Sequence, residues 1–300
     1  MTKIMHPSGI WKGTLAGVIV CVFLTGATCA QVVPGAKSDT GLVSYAQFMG
    51  SSNSAGRVFE LNSSIGYTFS GHFGVDVGVP FYFVQPSTST GGTNESGIGN
   101  VFVDGRLRFP NQVVNFATVL TLAAPTGDTN KGLSTGRATF DSTSRFDRTF
   151  GVVTPFAEVG VANTVPESQQ FLRPFTTLGF NSHFRAGTNV ALGKIFSVGA
   201  AAYDILPSGQ QKVFSRSVQG GASGSATAGS HGRVFATGHE TTGSADIARD
   251  NGFSGWLGAS PSPFLDFEIG YTHSVHYALD TVSFGIGVNI GSLAGRRAHP

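Results

Sequence analysis

From Arg57 to Phe69 the odd positions are mostly apolar (Phe59, Leu61, Ile65, Tyr67, Phe69), while Glu60, Asn62, Ser64 and Thr68 fill the even ones. A period of two marks a strand with one apolar face. After Ser70-Gly71-His72 the pattern resumes, with Phe73, Val75, Val77, Val79, Phe81 and Phe83 opposite Gly74, Asp76, Gly78 and Tyr82. The two runs predict a hairpin whose strands, about a dozen residues each, outrun the usual 5–6 of soluble sheets.

The same alternation predicts further strands at 40–48, 101–109, 116–124, 137–148, 153–163, 175–192, 196–206, 252–260, 265–274 and 281–290. In 137–148 it is weak, because Ser142 and Ser144 fall on the apolar face. Connections alternate in length. Short ones are expected near 70–72, 110–115, 149–152, 193–195 and 261–263, and long ones near 50–56, 85–97, 125–136, 164–172, 208–251 and, less long, 275–279. This rhythm predicts an all-β fold, a transmembrane antiparallel up-and-down β-barrel of about twelve strands with tight periplasmic turns and longer outer loops. In such a barrel the apolar face meets lipid and the polar face lines the lumen. Phe59, Phe69, Phe73, Phe81, Phe83, Phe109, Phe116, Phe264 and Phe284 are expected near strand ends on the lipid side, where aromatic girdles sit. By this parity Val77→Arg should disrupt assembly and lumen-side Gly78→Ser should be tolerated. An exported soluble β-sandwich is the competing architecture, and the strand lengths weigh against it.

Composition agrees. Charged residues are only 12% of the chain, 19 Lys+Arg against 17 Asp+Glu for a net +2, with no basic block, so nucleic acid is not an expected partner. The 42 Gly and 25 Phe argue against a helical bundle. Residues 1–30 combine Lys3 and Lys12, an apolar stretch from Leu15 to Leu24 and small residues ending at Ala30. That is the pattern of a removable signal peptide, leaving a single barrel domain, 31–300, that begins at Gln31. A lipobox at Cys29 competes, with Thr25 and Thr28 against it. Cys21 and Cys29 both lie in the leader, so the exported chain carries no thiol, as is common in bacterial envelope proteins. The expected location is the bacterial cell outer membrane, with membrane lipid and the outer-membrane assembly machinery as partners. One region, 208–251, is a long low-complexity outer loop centred on Gly220-Gly221-Ala222-Ser223-Gly224.

Several motifs carry a likeness. Gly97-Ile98-Gly99-Asn100-Val101 leads to Arg106-Leu107-Arg108-Phe109-Pro110, and Ala123-Ala124-Pro125-Thr126-Gly127-Asp128 is followed by Lys131-Gly132-Leu133-Ser134-Thr135-Gly136. With Tyr203-Asp204-Ile205-Leu206-Pro207, Asp250-Asn251-Gly252-Phe253 and Tyr271-Thr272, these runs resemble the outer-membrane family labelled MetA-pathway of phenol degradation. The resemblance spans most of the exported chain and implies a barrel that passes small molecules, aromatics among them. It supplies no catalytic residue. The chain departs from the family in its long Gly/Ser-rich loop and in ending Arg296-Arg297-Ala298-His299-Pro300 in place of a terminal aromatic.

No enzyme and no cofactor is expected. Gly187 to Lys194 lacks phosphate-loop spacing and has Ile195 after the lysine. His239-Glu240 has no second histidine four residues on, and His231, His239 and His276 do not cluster with acids at metal spacing. A barrel phospholipase would need a nucleophile beside a lipid-facing histidine; His273 has that parity, but its expected neighbours are Phe253 and Val282. The informative polar set faces the lumen. Asp76 is expected roughly opposite Arg106, with Arg108 one pleat lower and Arg145, Glu158, Asp266 and Glu268 in the same inner half. These charges either pair to pack a narrow barrel shut or form a constriction that selects solutes. The expected function is an outer-membrane channel or transporter for passive passage of small solutes; a closed surface barrel is the alternative.

Overall fold

In a computed structural model, residues 41–54, 56–86, 94–129, 131, 133–164, 175–215, 239–243 and 248–290 are described. The expected leader, 1–30, the centre of the 208–251 loop and the C-terminal ten residues lie outside them.

Fifteen strands form one sheet. In chain order they are β1 (Gly41–Asn53), β2 (Gly56–Ser70), β3 (Phe73–Pro86), β4 (Glu95–Ile98), β5 (Phe102–Phe109), β6 (Asn115–Ala123), β7 (Thr139–Asp147), β8 (Val153–Thr164), β9 (Phe175–Leu192), β10 (Phe196–Pro207), β11 (Gln211–Ser215), β12 (His239–Gly243), β13 (Asp250–Ser262), β14 (Leu265–Ser274) and β15 (Leu279–Asn289). Every pairing is antiparallel, and β15 returns to β1 over a register from Tyr45↔Asn289 to Ser52↔Val282. The ring closes at twelve strands, because β4 continues the line of β5 along β3 and the β11–β12 hairpin continues the line of β10 along the upper part of β9. Closure removes the sheet edges that a membrane would otherwise leave unpaired.

The twelve barrel strands match the twelve expected segments. The short connections gather at one end, where Gly151 (φ 63) and Gly193 (φ 75) occupy the left-handed region that tight turns require. Two expected loops are different. Near 50–56 there is a tight turn, with Asn53 paired to Gly56, because the polar run Ser51-Ser52-Asn53 continues the strand instead of leaving it. The 208–251 loop begins and ends in the β11–β12 hairpin, whose Gln211 side chain donates to the Phe180 and Ser208 carbonyls at 3.1 and 3.3 Å.

Alternation sorts the side chains into two faces. The outer face is apolar, and its large residues, such as Ile65, Val79, Leu120, Val159, Phe184 and Ile269, are exposed where a soluble protein would bury them. This is the surface that contact with lipid demands. Aromatic rings collect in two bands. Toward the turn end run Tyr67, Phe69 and Phe73, then Phe109, Phe116 and Phe146, each ring within 6.1 Å of the next in its group. Toward the loop end, Phe48, Phe59 and Phe284 form a cluster. Phe264 lies in the turn before β14, at the turn end. Ser142 and Ser144 do face outward; Ser144 donates to the Thr118 hydroxyl at 3.1 Å and Thr118 donates to the Thr143 carbonyl at 3.2 Å, so the Ser144 and Thr118 hydroxyls are satisfied within the wall.

On the inner face, bulky rings lie over glycines of neighbouring strands. A Cβ at Gly78 would overlap the Phe102 ring, and one at Gly199 would overlap Trp256. The tolerance expected for Gly78→Ser is therefore corrected: the inner face is wet in character but locally close-packed, and a serine there displaces Phe102.

Candidate functional site

All six lumen candidates, Asp76, Arg106, Arg108, Glu158, Asp266 and Glu268, fall on inward positions of their strands. They do not form one constellation. They belong to three stretches of wall.

On β3 and β5, Asp76 stands opposite Asp104, and Arg106 stands opposite Gly74. Arg106 reaches Asp76 diagonally, Nη2 to Oδ1 at 2.5 Å, across the lane that Gly74 leaves free of any side chain. The expected ion pair is present, one pleat off direct opposition. Two carboxylates side by side repel. Here Arg106 offsets one, and Thr121 donates to Asp104 Oδ1 at 2.5 Å to steady the other. Arg108 lies opposite Ala117 and makes no ion pair among the described residues.

On β7, β8 and β9 the register sets Arg145, Glu158 and Arg185 in one row. Arg145 Nη1 donates to Glu158 Oε1 at 2.7 Å and Arg185 Nη1 to Oε2 at 3.4 Å, so one carboxylate holds two guanidinium groups. Arg145 also approaches Asp147 at 3.4 Å. The Phe156 ring lies one pleat below, with Arg145 4.1 Å and Arg185 5.2 Å from its centroid. Arg185 is also 5.0 Å from the Trp256 ring, and the two rings are 6.2 Å apart. Gly199 leaves the space in which the Trp256 ring lies. The result is a cation–aromatic shelf projecting into the lumen. His183 Nε2 sits 3.1 Å from Asp141 one pleat above.

On β14, Asp266 accepts from the Ser260 hydroxyl at 2.6 Å. Glu268 is flanked by Gly258 on β13 and Gly285 on β15. Arg185 is its electrostatic neighbour through space, and Glu268 makes no hydrogen bond or ion pair among the described residues.

Counted around the twelve barrel strands, the inward face carries nine carboxylates, Glu60, Asp76, Asp104, Asp141, Asp147, Glu158, Asp250, Asp266 and Glu268, against four arginines, 106, 108, 145 and 185. The chain is nearly neutral as a whole, so this excess is a property of the lumen. Arg185, Asp104, Phe156 and Trp256 escaped the sequence reading of the site although their parity was legible. Their importance comes from which strands stand beside them.

His273 faces outward near the loop end, as expected, but its neighbours are different. Phe253 lies opposite on one side and Asp280, not Val282, on the other. Asp280 accepts hydrogen bonds from Tyr271 and lies 2.8 Å from His273 Nδ1. The pair has the base and orienting acid of a hydrolytic triad, and no serine stands among those outward neighbours.

No family profile matches the chain, and no curated protein matches it. Solved structures do. An outer membrane channel from Pseudomonas putida F1 is similar over 85% of this chain and 98% of its own, at 9% identity and a TM-score of 0.54. The KdgM porin, solved in complex with disordered oligogalacturonate, aligns over 81% of this chain and 98% of its own, at 10% identity and a TM-score of 0.46. At these identities the likeness is one of fold, a closed outer-membrane β-barrel.

Proposed function

We propose that this chain is an integral outer-membrane channel through which small solutes diffuse passively. The observation that carries the reading is the contrast between the two faces of one closed wall. Its outside is an apolar jacket with two aromatic bands, which suits lipid. Its inside carries charged side chains on eight of the twelve strands, and ionised groups at that density require water. A wet lumen spanning a lipid-facing wall is a conduit. Export by the 1–30 leader delivers the chain to the envelope where such a barrel folds.

Passage of aromatics is the finer part of the proposal. It draws on the resemblance to the phenol-degradation family and on the Phe156–Trp256 shelf, which offers planar surfaces beside guanidinium planes. The same shelf favours a second reading, a barrel closed by its own side chains and used as a surface scaffold, because Arg185 and Trp256 extend over their neighbouring strands into the lumen.

Reconstitution separates the two. The folded protein in planar bilayers should give discrete conductance steps, and proteoliposomes should take up phenol faster than protein-free liposomes whose bilayer permeability has been subtracted. A heat-modifiable, folded protein that never conducts and adds nothing to phenol uptake leaves the scaffold. Conductance without enhanced phenol uptake retains the channel and removes the aromatic solute.

A further inference from the structure

We propose that the lumen is cation-selective and that Glu268, with Asp266 below it, sets the preference. The inference rests on the channel reading and adds the charge of what passes. Nine carboxylates face four guanidinium groups on the inner wall, so negative charge is in excess however the groups pair. Three of the arginines are held at the wall: Arg106 by Asp76, Arg145 and Arg185 by Glu158. A cation held in an ion pair presents little net field to a passing anion.

Glu268 differs from the other lumen acids. The residues directly beside it are Gly258 and Gly285, so neither paired residue has a side chain of its own to cover it. The site of a Cβ on Gly285 would have nothing nearer than the Gln47 amide and Met49 at 3.9 Å, which marks open space next to the carboxylate. Asp266, one pleat nearer the turn end, stands opposite Gly287 and is held only by Ser260. The approach to Glu268 is open on the Gly285 side, whereas the Ser197 hydroxyl lies over Gly258 and the Tyr45 hydroxyl over Gly287 beside Asp266. Arg108, which makes no ion pair among the described residues, lies five strands away round the ring, and Arg185, the cation near Glu268, is itself paired with Glu158. A narrow, low-dielectric wall focuses such a field on the lumen. One unit charge roughly 7 Å from a passing ion, at the dielectric of water, changes the ion's occupancy about threefold.

The test is the reversal potential of the whole protein in planar bilayers under a KCl gradient. Recordings at pH 8 lie well above the ordinary carboxylate range, and modest salt avoids screening the lumen charges. The wild type should favour K⁺ over Cl⁻. Glu268→Gln should lower the permeability ratio about threefold, Asp266→Asn with Glu268→Gln should lower it further, and Glu268→Asp should preserve it. Asp280→Asn, on the lipid side, should leave it unchanged. If Glu268→Gln fails to reach the heat-modifiable form, Asp266→Asn alone carries the test with a smaller drop. Conductance that is non-selective or Cl⁻-selective in the wild type, or a ratio unmoved in folded Glu268→Gln and Asp266→Asn, overturns the inference and leaves the channel standing. A folded wild type that does not conduct overturns the channel reading itself.

Discussion

Val77 sits mid-strand on the outward face of β3, with Ile65 beside it on β2, Val103 beside it on β5, and Leu122 beside Val103 on β6. Their side chains have no protein cover; the four residues are 43%, 55%, 39% and 50% exposed in the order named. Val77→Arg puts a guanidinium into the middle of that apolar belt. A lipid-facing arginine near the bilayer midplane costs roughly 2–4 kcal/mol, a shift of roughly 30- to 1,000-fold in the folding equilibrium. Val119 is the matched control. It lies at mid-height on β6 and faces inward, opposite Arg106 on one side and Thr143 on the other. An arginine there reaches lumen water and the carboxylates of Asp104 and Asp141, diagonal to it, which offset the repulsion from Arg106. Its cost should stay near 1 kcal/mol or below, about that of an ordinary exposed substitution. Urea unfolding of protein folded into phospholipid vesicles, followed by Trp256 emission, measures both. Equal losses, or a greater loss for Val119→Arg, would refute the assignment of faces and with it the membrane orientation of every strand.

Three further outcomes follow from the inner wall and the loop. Gly199→Ala pushes the Trp256 ring off its seat, so the emission of this residue, the one tryptophan outside residues 1–30, should shift to the red and stability should fall by about 1–3 kcal/mol; an unchanged spectrum in the folded variant counts against the shelf. Glu158→Gln leaves Arg145 and Arg185 without their shared carboxylate and should cost roughly 2–5 kcal/mol in vesicle unfolding, whereas a neutral result would mean that water already satisfies those guanidinium groups. Replacing 216–238 by a short Gly/Ser linker keeps the β11–β12 hairpin and should preserve heat-modifiable migration, because loop-closure cost changes slowly with length; loss of the folded form would show that the segment braces the barrel.

The barrel was legible in the sequence because its signals are local. A strand with one lipid face and one lumen face must alternate, and a tight turn must carry glycine or polar residues, so period, strand count and parity are written into each short stretch of chain. Parity alone placed Asp76, Arg106, Arg108, Glu158, Asp266 and Glu268 on the inner wall. Contacts between strands are a different matter. Register and shear are collective properties of the closed ring, and a displacement of two residues keeps every parity while changing every neighbour. Hence Arg106 reaches Asp76 diagonally across Gly74, Asp280 stands beside His273, Gly78 lies under Phe102, and Arg145, Glu158 and Arg185 share one row with Phe156 and Trp256 below it. The chain's near-neutral charge likewise conceals a lumen rich in carboxylates, because closing the ring sends those acids inward, while among the described residues Arg57, Lys131, Arg137, Arg148 and Lys194 lie in turns, loops or outward positions.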